Sequence, residues 1–171
     1  MKIYTTYKVK IKGYNHIFKD TISIYREAVD YLLTVCYDNW DKISQLNGNR
    51  KQFLVERLVH RTKDNPHPTY DFDSKFYKLP SSLRRGAINE AIGKIASYTS
   101  NLDNWKKECK GKKPSFPKAG YVYPRMYSRR MFREVDKYTV QVKVYIRNTW
   151  DWITIRSVSY THLTLPTTSR V

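Results

Sequence analysis

Lys137–Arg156 reads KYTVQVKVYIRNTWDWITIR, and its alternation decides the fold class. Tyr138, Val140, Val142, Val144 and Ile146 fall on one face of an extended chain, and Gln141, Lys143, Tyr145 and Arg147 on the other. Period two with β-branched residues is the pattern of a half-buried strand. Asn148-Thr149 supplies a turn, and Trp150–Arg156 a partner strand with Trp150 and Trp152 on one side, Ile153 and Ile155 on the other. Lys2–Lys12 alternates in the same way, Ile3, Tyr7, Val9 and Ile11 against Lys2, Lys8, Lys10 and Lys12, before Gly13 and Asn15 turn the chain.

Between these strands the period changes to that of a helix. Asp20 or Thr21 is placed to cap a helix running to about Trp40, with Tyr25, Ala28, Val29, Leu32, Val35 and Cys36 inward. Cys36 lies on that stripe with no paired base, so it reads as a small core residue. Asn47-Gly48-Asn49 breaks the pattern, and Arg50–His60 forms a second helix with Phe53, Leu54, Leu58 and Val55 inward. A third helix opens at Leu79-Pro80-Ser81-Ser82, capped by Ser81 or Ser82, and buries Ile88, Ala91, Ile92, Ile95 and Leu102. Arg84 and Arg85 stand in its first turn, which suits a neighbouring phosphate or an ordinary exposed surface. Gly86 and Gly93 share a face where another backbone has room to approach. One strand, three helices, a loop and a late hairpin give an α+β pattern, with the first strand expected to rejoin the hairpin in one sheet or partial β-barrel.

The 171 residues carry 32 Lys and Arg against 15 Asp and Glu, a net charge of +17. Between Asn104 and Arg133 stand Lys106, Lys107, Lys110, Lys112, Lys113, Lys118, Arg125, Arg129, Arg130 and Arg133, with Glu108 the one acid, so this segment alone holds +9 of the excess. Trp105, Phe116, Tyr121, Tyr123, Tyr127 and Phe132 are interleaved. Cations neutralise phosphates and flat rings stack on unpaired bases, so nucleic acid is the expected partner. An amphipathic membrane helix is excluded here by Pro114, Pro117, Gly120 and Pro124. No apolar run approaches a membrane span, and the two cysteines, Cys36 and Cys109, make neither a disulfide framework nor a four-ligand zinc site, so a reducing cytoplasm is expected.

Catalytic motifs are missing. Gly111-Lys112-Lys113 lacks the first glycine and the hydroxyl residue of a phosphate loop, and no nucleophile elbow occurs. His60, His67, Asp71 and Asp73 are the nearest thing to a metal cluster, but Pro66 and Pro68 flank His67 and no helical His pair exists.

The order of parts resembles the N-terminal portion of the OrfB/TnpB family of insertion-sequence transposases, the transposon-encoded relatives of type V CRISPR effectors. The likeness spans residues 1–156 and rests on LPSSLRRGAINEAIGKIASY (Leu79–Tyr98), the basic GKKPSFPKAGYVYP (Gly111–Pro124) and a hairpin ending TWDWITIR (Thr149–Arg156). The resemblance implies a wedge-like β domain from 1–19 and 110–156, with a helical, recognition-like insert at 20–109. Together these would hold a guide RNA and target DNA at the bacterial nucleoid. A Mg²⁺-dependent RuvC-like nuclease with a zinc insert would follow in a missing part of the parent, leaving no cofactor and no catalytic residue in this chain. Lys8, Lys10, Arg84, Arg85, Lys106, Lys107, Lys110, Lys112, Lys113, Lys118, Tyr121, Tyr123, Arg125, Arg129, Arg130 and Arg133 are the expected nucleic-acid contacts. The alternative is a complete small basic RNA- or DNA-binding protein without catalysis.

Residues 157–171 differ from the rest. Val158–Thr167 reads VSYTHLTLPT, which resembles the translation of a transposase-based sequencing-library adapter, and the stretch is Thr-rich and uncharged until Arg170. It is expected to be a read-through artefact.

Overall fold

The computed structural model describes residue 11 and residues 16–109, 111–125, 130–136 and 138–156. Apart from Ile11, the Lys2–Lys12 strand lies outside the described residues, as does the 157–171 tail. A 3₁₀ turn, His16–Phe18, leads into α1 (Lys19–Asp38), followed by α2 (Trp40–Ser44), α3 (Asn49–Val59), α4 (Phe72–Lys75), α5 (Ser81–Glu108) and strands β1 (Phe132–Glu134), β2 (Thr139–Ile146) and β3 (Thr149–Arg156). The class is mixed α and β, as the change of period implies. The described strands form an open antiparallel sheet in the order β1-β2-β3. No helix among the described residues is long and apolar enough to cross a membrane.

The helical core is built on α1 and α5. Tyr25, Ala28, Val29, Leu32, Val35 and Cys36 recur at three- and four-residue spacing and are all buried. On α5 the matching row is Leu83, Ala87, Ala91 and Ile95, each fully buried. Each large aliphatic side chain so placed contributes roughly 1.5–3 kcal/mol. Val55 and Val59 of α3, with Phe72 and Phe76 from the α4 region, close the cluster.

Four local expectations are corrected. Neither Asp20 nor Thr21 caps α1, because its N-cap is Phe18 with no side-chain bond, and Thr21 lies buried inside the first turn. The Thr21 hydroxyl instead accepts the Tyr145 N–H at 2.8 Å, tying the helix to β2. Neither serine caps α5: Pro80 holds that position, and Ser82 is buried. Phe53 is 65% exposed, since two residues from Val55 is about half a turn round the helix, away from its buried row. A Cβ on Gly93 would meet nothing within 4 Å, so that glycine opens a surface rather than admitting a backbone.

The hairpin turns one residue earlier than expected. Ile146 pairs with Thr149, leaving Arg147 and Asn148 as a two-residue loop. Both have positive φ, +49° and +61°, as a type I′ turn requires. Asn tolerates that region, while β-branched Thr149 is better used in a strand. The three-residue β1 pairs Phe132 with Val142 and Arg133 with Gln141, and is too short to show a period in sequence. Val142, Val144 and Ile155 make a second, smaller apolar cluster, with Ile11 and Phe18 packed against it.

Cys36 is buried and Cys109 exposed. Burial pushes the Cys36 thiol up to about 12, so it stays protonated at neutral pH and cannot act as a thiolate. A maleimide should therefore label one thiol in the folded chain and two in denaturant; rapid labelling of both in the folded chain would contradict this core.

Candidate nucleic-acid interface

The basic segment does not hang free. After α5 ends at Glu108, the chain runs back across α5 and α1, pinned at several points. Phe116 packs edge-on against Tyr37 of α1 and Tyr98 of α5, with ring centroids 5.4 and 5.5 Å away. The Ala119 N–H donates to the Asp30 carboxylate at 2.6 Å, and Arg26 Nε donates to the Val122 carbonyl at 3.0 Å. Ala119 and Met131 are buried in the main core. Asp30 and Arg26 therefore fix the loop, and both were silent in sequence because each sits beside, not on, the apolar stripe of α1.

The expected contact residues divide by what already holds them. Arg84 is 7% exposed and, with Arg85, shares the Glu56 carboxylate at 3.1 and 3.2 Å, joining α5 to α3. That explains two cations in a first turn without any ligand. Lys106 lies 3.9 Å from Asp103, and Lys106 and Lys107 both sit in the last turn of α5, where cations complement the helix dipole. Lys113 lies over the Trp105 ring at 6.0 Å. Lys112, Lys118, Arg125 and Arg130 are different: all are exposed, and among the described residues none has a carboxylate at ion-pair distance. Tyr121 is 88% exposed, and Tyr123, 61% exposed, carries the Arg26 guanidinium 5.1 Å above its ring. Arg133 lies on β1 with its guanidinium 4.0 Å from the Trp152 ring centre. Lys8, Lys10, Lys110 and Arg129 lie outside the described residues.

The loop and α5 together line an open groove of about 600 Å³. Asn89, Gly93, Ser97 and Asn101 recur along one side of α5, and Pro114, Pro117 and Arg125 close the other. Gly93 keeps its floor open. The one acid on the wall, Glu90, is 3.9 Å from Lys94.

Among the described residues, no group of three His, Cys, Asp or Glu is placed to hold a metal. His60 and Asp73 do meet, at 2.8 Å, but Asp73 also accepts the Arg61 N–H at 2.9 Å, so the pair ties the end of α3 to α4. His67 and Asp71 do not join them.

A family model matches residues 5–146, most of the chain. The chain belongs to the Aq_aa04 family. It is similar to a protein of Aquifex aeolicus (strain VF5) named Uncharacterized protein aq_aa04, with 30% identity over 133 residues, covering 71% of this chain and 74% of that protein. No solved structure matches it. These matches overturn the resemblance to OrfB/TnpB transposases, since neither is to a transposase family. A strand, a helical block and a basic loop before a hairpin are common parts, and their order alone did not define that family. The guide RNA, the missing nuclease half and its Mg²⁺ and Zn²⁺ rested on that likeness and lose their support with it.

The pinned loop gives a test of this geometry. Asp30→Ala removes a charged acceptor worth about 1.5 kcal/mol or more. Tryptic cleavage after Lys118 should then quicken about tenfold, with cleavage after Lys63 unchanged. An unaltered Lys118 rate would place the rigidity of the loop elsewhere.

Proposed function

We propose that this protein binds nucleic acid through the loop laid across α1 and α5. The observation that supports this is the positive charge left over after every local partner is counted. Arg84 and Arg85 have Glu56, and Lys106 and Lys107 have the helix end. Among the described residues Lys112, Lys118, Arg125 and Arg130 have neither, yet the first three stand on a segment held in place by Asp30, Arg26 and the Tyr37–Tyr98–Phe116 rings. Holding like charges on a fixed loop costs repulsion that a polyanion relieves. Phosphates suit this arrangement, and the exposed rings of Tyr121 and Tyr123 beside them suit bases.

Architecture bears on the same reading. Ile11 makes a β-bridge and packs against the smaller apolar cluster, which favours a sheet that curls toward a partial barrel.

Binding should weaken steeply with salt, because each phosphate neutralised releases condensed counterions. Anisotropy titrations on duplex DNA and on structured RNA read the slope. Replacing Lys112, Lys118 and Arg125 together by Glu should weaken binding and lower that slope by about one for each phosphate no longer neutralised, with the helical circular dichroism unchanged. A flat salt response in the parent chain, or an undiminished slope in the variant, would remove this loop from the interface.

A further inference from the structure

The open sheet segregates its charges. In the observed register Arg133, Gln141 and Thr154 form one cross-strand row, Lys143 and Trp152 the next, and Thr139 with Arg156 the outermost. Opposed residues of antiparallel strands share a face, so Arg133, Lys143 and Arg156 all project to one side. The two strand acids, Glu134 and Asp151, pair with Val140 and Val144 and so belong to the other side, with the smaller apolar cluster. One face thus carries every cation of the three strands and neither strand acid, with the Asp136 carboxylate of the β1–β2 turn near Arg156 at its edge.

Near the turn this face is occupied: Trp150 packs on the helical core and meets Tyr145 at 5.4 Å. One row further out, Trp152 packs on neither apolar cluster among the described residues. Its indole is half-buried and has two cations near it, the Arg133 guanidinium at 4.0 Å and the Lys143 ammonium at 6.0 Å from the ring centre. Arg133, Thr154 and Arg156 are exposed around it. A flat ring held on a rigid sheet, topped by a planar cation and flanked by further positive charge, is chemically complementary to an unstacked base and its phosphates. Bases stack on aromatic rings and on guanidinium planes alike. A duplex hides its base faces and offers this site only phosphates.

We infer that the Arg133–Trp152 face of the sheet is a stacking platform for unpaired bases, so that single-stranded nucleic acid is the preferred ligand. This rests on the nucleic-acid reading above and narrows it. Lys143 and Arg156 take the flanking phosphates, while Arg133 orders the indole and extends the stack.

The test measures affinity of the full chain for an oligouridylate, an oligothymidylate, an abasic strand of the same length and a blunt duplex. Base-bearing strands should bind the parent chain roughly tenfold or more tighter than the abasic strand. Trp152→Ala should bring them down to the abasic level, leaving abasic and duplex affinities alone; Trp152→Phe should retain most of the preference, and Arg133→Gln should lose part of it. A preference for uridylate or for thymidylate identifies RNA or DNA as the source, and either supports the platform. Equal affinity for abasic and base-bearing strands overturns it without needing any variant, and leaves phosphate binding by the loop standing. An equal loss on all four ligands in Trp152→Ala also overturns it. Absence of binding to every ligand removes both readings.

Discussion

The packing of α1 on α5 is the interaction on which the remaining parts depend. The apolar stripe of α1 faces α5, and the polar residues beside that stripe each take hold of another element. Thr21 receives a backbone N–H of the hairpin, Arg26 holds a loop carbonyl and Asp30 holds a loop N–H. One helix therefore sets the position of the core, the sheet and the basic segment. Shifting α1 by a turn would break all three polar contacts at once, because their spacing along the helix is fixed by its 1.5 Å rise.

This arrangement turns a proline-containing stretch that has no secondary structure of its own into a defined surface. Pro114 and Pro117 bracket Phe116, limiting the conformations the loop must lose when that ring packs between Tyr37 and Tyr98. The sheet handles charge differently. Its alternation places cations on one face and acids on the other, so that segregation follows from pleat geometry and needs no loop to enforce it. Two separately held cationic surfaces result, one on the loop and one on the sheet.

Periodicity made the main elements legible in sequence. The α1 stripe, the Arg50–His60 helix, the long third helix and the hairpin stand within one or two residues of where their patterns put them. What escaped was whatever depends on contacts distant in sequence. Thr21 looks like a cap until Tyr145 is seen to use its hydroxyl. Arg84 looks exposed until Glu56, 28 residues away, is brought beside it; Arg85 does stay exposed, and shares the same carboxylate. Phe53 matched an inward pattern by hydrophobicity but not by angle. β1 is shorter than the window in which alternation can be recognised. Trp152 was legible as a strand residue on the same side as Trp150, and only the structure revealed Arg133 over its ring. The charge excess was read correctly as a quantity; which cations are already engaged by the fold needed the structure. Family membership was the part least legible, since the order of common elements suggested a transposase relative and the match to the Aq_aa04 family replaced it.

The central claim is that the cations of the loop and of the sheet face left without ion-pair partners among the described residues form the binding surface, and lysine footprinting tests it most directly. The chain is acetylated with and without excess oligouridylate and each lysine is read by mass spectrometry. Lys112, Lys118 and Lys143 should lose reactivity on binding, while exposed Lys42 and Lys63, away from the loop and the sheet face, should keep theirs. Protection spread evenly over all lysines, or confined to Lys42 and Lys63, would contradict the account.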